Sequence, residues 1–245
     1  MPQMQFDWNG LIRLLAHNLY SEKRVFLREL IQNAHDAVAR RVSLEPELAG
    51  RIDISTSRTS GTLTVSDNGI GMDDRDLRDY IGTVGIGATR QQEGIPGLIG
   101  EFGIGFLSAF FVADRVVVET RKIKEETGWR WTNTGSREYS LEPCDVQRVG
   151  TSVTVHVREA DRALIGEAEI RETIKQYSDL LAVPIFIGTS KIPANAMVMP
   201  WEKPKAISRA SDVECRLYIA EYFGDEALET IPFQLSGASG LLYIT

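Results

Sequence analysis

The sequence predicts an α/β (α+β) two-layer sandwich: a mixed, mostly antiparallel sheet with helices on one face, followed by the start of a second α/β domain. Three observations carry this. A long amphipathic helix pattern comes early, over residues 21–41. Short segments of alternating hydrophobicity recur after it. A stretch holding eight glycines in the 24 residues 82–105 interrupts them, a density that no regular element sustains.

Taken in order, residues 11–19 form a short helix with Leu11, Leu14, Leu15 and Leu19 on one side, and Ser21 is placed to cap the long helix. At 100° per residue, Leu27, Leu30, Ile31, Ala34, Ala37 and Val38 make one broad apolar face. Glu29, Asn33 and Asp36 fall in a stripe nearly opposite it, flanked by the apolar Val25 and Phe26. Residues 51–57 and 61–66 alternate and are joined by Arg58-Thr59-Ser60, an antiparallel hairpin. The second strand runs into the tight turn Asp67-Asn-Gly-Ile-Gly71-Met72, after which Asp73 caps a short helix carrying Leu77, Tyr80 and Ile81.

The glycine-rich stretch ends in Gly100-Glu-Phe-Gly103-Ile104-Gly105 and leads into a buried helix over 106–113. Strands are expected over 115–121, 128–132, 137–141, 151–157 and 183–187, with a helix over 167–181. Pro193, Pro200 and Pro204 then fall within twelve residues, which marks a linker. Residues 213–220 and 241–245 read as strands. The expected organisation is a first domain over 1–190, a linker over 191–212, and the truncated beginning of a second domain over 213–245, which is too short to bury a core alone.

Composition bounds the function. Hydrophobic content of 43% and charged content of 25% are those of a soluble globular protein. A net charge of −7 argues against a dedicated nucleic-acid binder, and no apolar run reaches membrane-spanning length. Cys144 and Cys215 stand 71 positions apart with no Cys/His cluster around either, as expected of reduced thiols in a cytoplasmic protein. The N-terminus has neither the basic nor the apolar region of a secretory signal.

Each motif has an ordinary reading on its own. The Glu29 stripe fits a solvated helix face, Asp67 a turn former, the glycine run a connector, and Thr151 a common strand residue. Each also has a chemical one. Glu29 and Asn33 offer oxygens suited to Mg²⁺ and to positioning a water. Asp67, an acceptor at a strand end, suits an exocyclic amine such as adenine's. The Gly100–Gly105 motif opens a helix, where backbone N–H groups can meet a phosphate.

Their order between Glu29 and Thr151 is more informative than any one of them. Glu-x-x-x-Asn-x-x-Asp on a helix, Asp-x-Gly-x-Gly after a strand, Gly-x-x-Gly-x-Gly, then Gly150-Thr151 on a strand resembles the Bergerat ATP-binding fold of the GHKL superfamily. Within it, the segments Arg28 to Ala37, Asp67 to Met72 and Ile99 to Ala109 resemble the heat-shock-protein-90 (HtpG-type) chaperones. The resemblance covers about residues 5–190 and resumes near 213, where Cys215 to Phe223 resembles the opening strand of that family's middle domain.

The resemblance implies ATP/ADP with Mg²⁺ as ligands. It implies Glu29 as the catalytic residue orienting the attacking water and Asn33 as the Mg²⁺ ligand. Asp67 would bind adenine, with Gly71 and Thr151 assisting through water and Met72 packing on the base. Asp36 and Arg40 stand near the nucleotide. The phosphates would be held by Gly100, Gly103, Ile104, Gly105 and Phe106, with a lid over 82–100. It also implies client proteins as partners, a homodimer, and no nucleic-acid or membrane partner. Ile86 stands where the family's lid carries a Lys, only ten residues separate Thr89 from Gly100, and the family's middle-domain Arg has no counterpart here. Nucleotide binding with weak hydrolysis is therefore expected. A DNA-directed GHKL ATPase of MutL or topoisomerase type, a histidine kinase, and a nucleotide switch that never turns over are the alternatives. His35, where the family has a small residue, is read as structural.

Overall fold

The computed structural model describes residues 23–81, 105–196, 208–235 and 238–245. The predicted helix over 11–19, the Ser21 cap, the lid with Ile86, Gly100, Gly103, Ile104 and residues 197–207 of the linker lie outside the described residues. The chain divides into two compact units, Met1–Asn195 and Ala196–Thr245.

In the first unit, helix α1 spans Val25–Leu44. It begins four residues later than the pattern suggests. Arg24 occupies the cap position with no side-chain cap bond, its guanidinium being paired with Glu169 and Glu172. The helix stops at Glu45, where Pro46 removes the next helical residue. Strands β1 (Ile52–Ser57) and β2 (Thr62–Asp67) pair antiparallel as the expected hairpin. The short helix α2 (Asp74–Asp76) carries a full capping box between Asp73 and Asp76 and continues as a π-helix over Leu77–Ile81.

The segment read as a helix over 106–113 is a 3-10 helix, Gly105–Phe111, and Ala113 already belongs to β3 (Ala113–Arg121). Then come β4 (Gly128–Asn133), β5 (Tyr139–Cys144) and β6 (Gly150–Val157). β5 starts two residues later than expected. The Asn133 side chain accepts from the N–H groups of Gly135 and Ser136 and donates to the Ser136 and Glu138 carbonyls, which holds that stretch as a turn. A 3-10 helix (Glu159–Ile165), α3 (Glu167–Tyr177) and β7 (Ile185–Ile187) complete the unit. α3 ends before the predicted Leu181 because the chain turns at Ser178, whose N–H closes on Ile174.

The seven strands lie in the order β5-β4-β3-β6-β2-β1-β7, all neighbours antiparallel except β1 and β7. One face of the sheet is apolar: Ile52, Ile54, Leu63, Val65, Val116, Val118, Val155 and Val157 are buried there. Against it pack Phe26, Leu27, Leu30, Ile31, Ala34 and Val38 of α1, Leu107 and Phe110 of the 3-10 helix, and Ile170 and Ile174 of α3. The opposite face carries hydroxyl rungs, Thr64 to Thr154 at 3.0 Å and Ser66 to Ser152 at 2.9 Å. This is the predicted two-layer sandwich.

In the second unit, α4 spans Ser208–Phe223, and β8 (Glu229–Leu235) pairs antiparallel with β9 (Ala238–Ile244). The strand expected over 213–220, and with it the opening strand seen in Cys215 to Phe223, is a helix. The alternating Val213, Cys215, Leu217 and Ile219 resolve into two i, i+4 pairs: Cys215 and Ile219 are buried, while Val213 and Leu217 are exposed. The helix also begins at Ser208, inside the segment read as linker.

Candidate functional site

The predicted residues gather where the C-terminal end of β2, the start of β6 and the end of β3 meet α1. Asp67 is the last residue of β2 and stands opposite Thr151 of β6, which in turn stands opposite Thr120 of β3. All three side chains project toward the helical layer, as Ile52 does from the partner position of Asp67 on β1.

Asp67 Oδ1 accepts from the N–H of Gly69 at 2.8 Å and from the N–H of Thr151 at 3.3 Å. Among the described residues no donor reaches Oδ2. Burial pushes the Asp67 carboxyl up to about 7, against the lowering effect of the two N–H bonds. Thr120, which sequence reasoning missed, is fully enclosed. Its hydroxyl donates to the Gly150 carbonyl at 3.0 Å, accepts from the Met72 N–H at 2.9 Å and meets the Thr151 hydroxyl at 2.9 Å. With the one Thr120 proton spent on Gly150, the Thr151 hydroxyl is the donor of that last bond and keeps its lone pairs as acceptors. A threonine near a strand end gives no sequence signal of this; only the strand register brings it there.

The turn is held on both sides. Ile70 donates to the Ala37 carbonyl of α1 at 3.0 Å, and Ile123 donates to the Ile70 carbonyl at 2.9 Å. Gly71 has φ +70°, and a Cβ there would strike the Arg121 carbonyl, so only glycine closes the turn against β3. Met72 is left partly buried beside it. Lys122 bridges Asp73 and Asp76, 2.7 Å from each.

At the other end of α1, Glu29 is half-buried. Its Oε1 receives the Arg28 fork at 3.1 Å from Nε and 2.6 Å from Nη2. Arg28 also lies over the Tyr177 ring at 5.5 Å. The other carboxylate oxygen, Oε2, abuts the α-carbon of Gly105. Gly105 and Phe106 thus open the 3-10 helix directly against Glu29, and Phe106 is seated edge-on against Trp131 at 5.6 Å. Asn33 is exposed, whereas Asp36 is buried with Oδ1 3.4 Å from His35 Nδ1. His35 is itself buried, consistent with its structural reading. Arg40 is half-buried one turn beyond Asp36.

The structure therefore brings together Asp67, Gly71, Met72 and Thr151 at one end of α1, and Glu29, Gly105 and Phe106 at the other, with Asn33, Asp36 and Arg40 on the helix itself. Among the described residues no cluster of three His, Cys, Asp or Glu side chains is placed to hold a metal ion. No helix among them is long and apolar enough to cross a membrane.

A strand-end carboxylate, a glycine-led 3-10 helix and a polar helix stripe thus come together on one seven-stranded sandwich. The sequence pattern of the family described as "Histidine kinase-, DNA gyrase B-, and HSP90-like ATPase" matches residues 20–160, and the chain belongs to that family. Within it, the chain is similar to HtpG chaperone proteins. It is 35% identical over 260 residues to the one from Roseobacter denitrificans, covering 98% of this chain and 41% of that protein. It is 35% identical over 263 residues to the one from Chlorobaculum tepidum, covering 97% and 41%. With the one from Helicobacter hepaticus it shares 37% identity over 206 residues, covering 76% and 33%. The chain spans less than half the length of these relatives.

Proposed function

We propose that this chain binds ATP and ADP with Mg²⁺ and serves an ATP-dependent chaperone of the heat-shock-protein-90 type. The observation that carries this reading is the Asp67 arrangement: one carboxylate oxygen fixed by two backbone N–H groups, the other left to accept from the adenine amino group. Thr151 and Gly71 would assist through water, and Met72 would pack on the base. Gly105 and Phe106, with Gly100, Gly103 and Ile104 before them, would hold the phosphates through backbone N–H groups. Asp36 and Arg40 would stand beside the nucleotide.

Mg²⁺ fits the donors present. Asn33 offers one exposed amide oxygen, and this ion is commonly held by one or two protein oxygens plus phosphates and water. When bound it would neutralise charge on the phosphates. Glu29 would orient the attacking water and accept its proton, once an oxygen is released from Arg28. ATP binding and hydrolysis would drive closure of a lid over 82–100, and dimer closure on client proteins in the cytoplasm, with no nucleic-acid or membrane partner. The domain division 1–190, 191–212 and 213–245 belongs to this reading.

Titration with Mg-ADP by calorimetry tests it. Binding that Asp67→Asn weakens at least about tenfold supports it, since one hydrogen bond to a charged group is lost. No binding at millimolar nucleotide, or equal affinity in the variant, sinks it. A second reading, a nucleotide switch without turnover, is favoured by the Arg28–Glu29 pair, which engages the catalytic carboxylate. A phosphate-release assay on the wild-type chain and Glu29→Ala separates the two: turnover that disappears in the variant excludes the switch.

A further inference from the structure

We infer that Arg41 is a positioning residue for the base-binding end of the site, holding together the two strand ends that carry Asp67 and Thr151. The inference rests on the nucleotide-binding reading above. Arg41 lies in the last turn of α1 with its side chain only 16% exposed. Its Nη1 donates to the Asn68 carbonyl at 3.0 Å and to the Val149 carbonyl at 3.4 Å. Asn68 directly follows Asp67 at the end of β2, and Val149 directly precedes Gly150 at the start of β6. Asp67 opposite Thr151 is the last rung of the β2–β6 ladder. Past that rung no backbone pair joins the two strands among the described residues, and Nη1 of the guanidinium spans the gap instead. Its rigid fork suits this task, and Nε is aimed by a 2.8 Å bond to Glu45.

The bond that depends on this span is the one from the Thr151 N–H to Asp67 Oδ1, at 3.3 Å the longer of the two on that carboxylate. The Gly69 bond lies within the turn and is fixed by the turn's own backbone. The Thr151 bond crosses between strands at the end of the ladder, so it depends on the β2–β6 and β3–β6 pairing behind it and on the Arg41 span from Asn68 to Val149 beyond it. Burial raises the Asp67 carboxyl and the N–H groups of Gly69 and Thr151 lower it; among the described residues no ionised side chain pairs with it. Freeing Val149 would weaken one of two donors that favour the carboxylate. The acceptor form would become scarcer at a given pH and less well aimed. α1 thus meets both ends of the site, through Glu29 at one and Arg41 at the other.

The test is Mg-ADP calorimetry on the wild-type chain and Arg41→Met from about pH 5.5 to about pH 8.5, with thermal melting of both without nucleotide. Arg41→Met is expected to bind about tenfold more weakly at neutral pH, the scale of one lost charge-assisted bond. The pH at which binding reaches half its maximum is expected to rise by roughly half a unit or more. A merely structural role would lower melting temperature and leave that midpoint in place. Arg41→Lys, which keeps the cation and loses the fork, covers the case in which Arg41→Met does not fold; a smaller loss, about threefold, and a midpoint shift in the same direction are expected. Affinity within about twofold of wild type, or a weaker affinity with an unmoved midpoint, in the variant that folds overturns the inference. A wild-type chain that binds no ADP sinks the nucleotide reading and this inference with it; a binding wild type with an equally binding Arg41 variant sinks this inference alone.

Discussion

The carboxylate of Glu29 lies directly against the α-carbon of Gly105, so that a methyl group added there would overlap Oε2 and stand 3.0 Å from Cδ. The residue proposed to orient water and the first residue of the 3-10 helix are thus one packing unit. Gly105→Ala should displace the Glu29 carboxylate and lower ATP turnover by about tenfold or more, because a catalytic group moved by an ångström loses about that much. ADP affinity should fall by less than about threefold, since backbone N–H groups persist. Phosphate release and calorimetry on the same preparation check this; equal losses in both would mean that the segment itself has moved.

Arg28 holds the other oxygen of Glu29 and rests on Tyr177. Arg28→Met removes the fork that fixes the carboxylate and leaves the Asp67 end of the site untouched. ADP affinity should stay within about twofold while turnover changes by about fivefold or more. Unchanged turnover would show that the pair is a surface ion pair with no bearing on Glu29.

Asp67 should make the unliganded chain less stable as pH rises. Its carboxyl is raised from 3.8 to about 7 in the folded chain. A raised acid binds its proton more tightly folded than unfolded, so stability is greatest below pH 3.8 and is lost as pH climbs to about 7. At about 1.4 kcal/mol per pH unit, the whole change approaches roughly 4 kcal/mol. Asp67→Asn should melt at a higher temperature than wild type above neutral pH and by a smaller margin near pH 5. On the proposed reading, Mg-ADP binding should strengthen as pH rises through about 7, because the carboxylate would be the acceptor. Melting curves and titrations across pH read both trends, and a flat difference between wild type and variant would refute the assignment.

Lys122 ties the Met72 turn to β3 through Asp73 and Asp76. For Asp73, burial raises the carboxyl, but the Lys122 bond and charge and the backbone N–H groups of Asp76 and Arg75 outweigh it, so it titrates below its ordinary 3.8. A lowered acid stabilises the fold above 3.8 and loses that contribution as pH falls further. Lys122→Met should cost about 1 kcal/mol at neutral pH, a partly exposed pair being worth no more. The difference from wild type should shrink in acid, as denaturant titrations at neutral pH and near pH 3 would register.

How much of this was legible depends on how local each signal is. The Asp67 turn, the β1–β2 hairpin and the α1 stripe each lie within one short segment, where periodicity and turn chemistry act directly. Helix α4 was misread as a strand because Val213, Cys215, Leu217 and Ile219 alternate, and alternation over so few residues also fits two opposite faces of a helix. The 3-10 geometry of Gly105–Phe111 was not legible either. Its Ser108 hydroxyl closes back on the Gly105 carbonyl at 2.5 Å, a local competition with the helical pattern that sequence does not announce.

By itself, the sequence determined the class of sandwich and, through the resemblance of its ordered motifs, the family, together with the residues proposed to meet adenine, phosphate and Mg²⁺, because each motif lies within one short chain segment. The tertiary structure decided how those residues are held. Thr120 meets Thr151 only because β3 and β6 pair in that register. Arg41 reaches Asn68 and Val149 only because α1 ends beside two strand termini. Lys122 finds Asp73 and Asp76 across the end of β3. Each contact joins positions far apart in the chain, and strand register and helix packing, set by the burial of the shared apolar face, fix distances that no local pattern encodes.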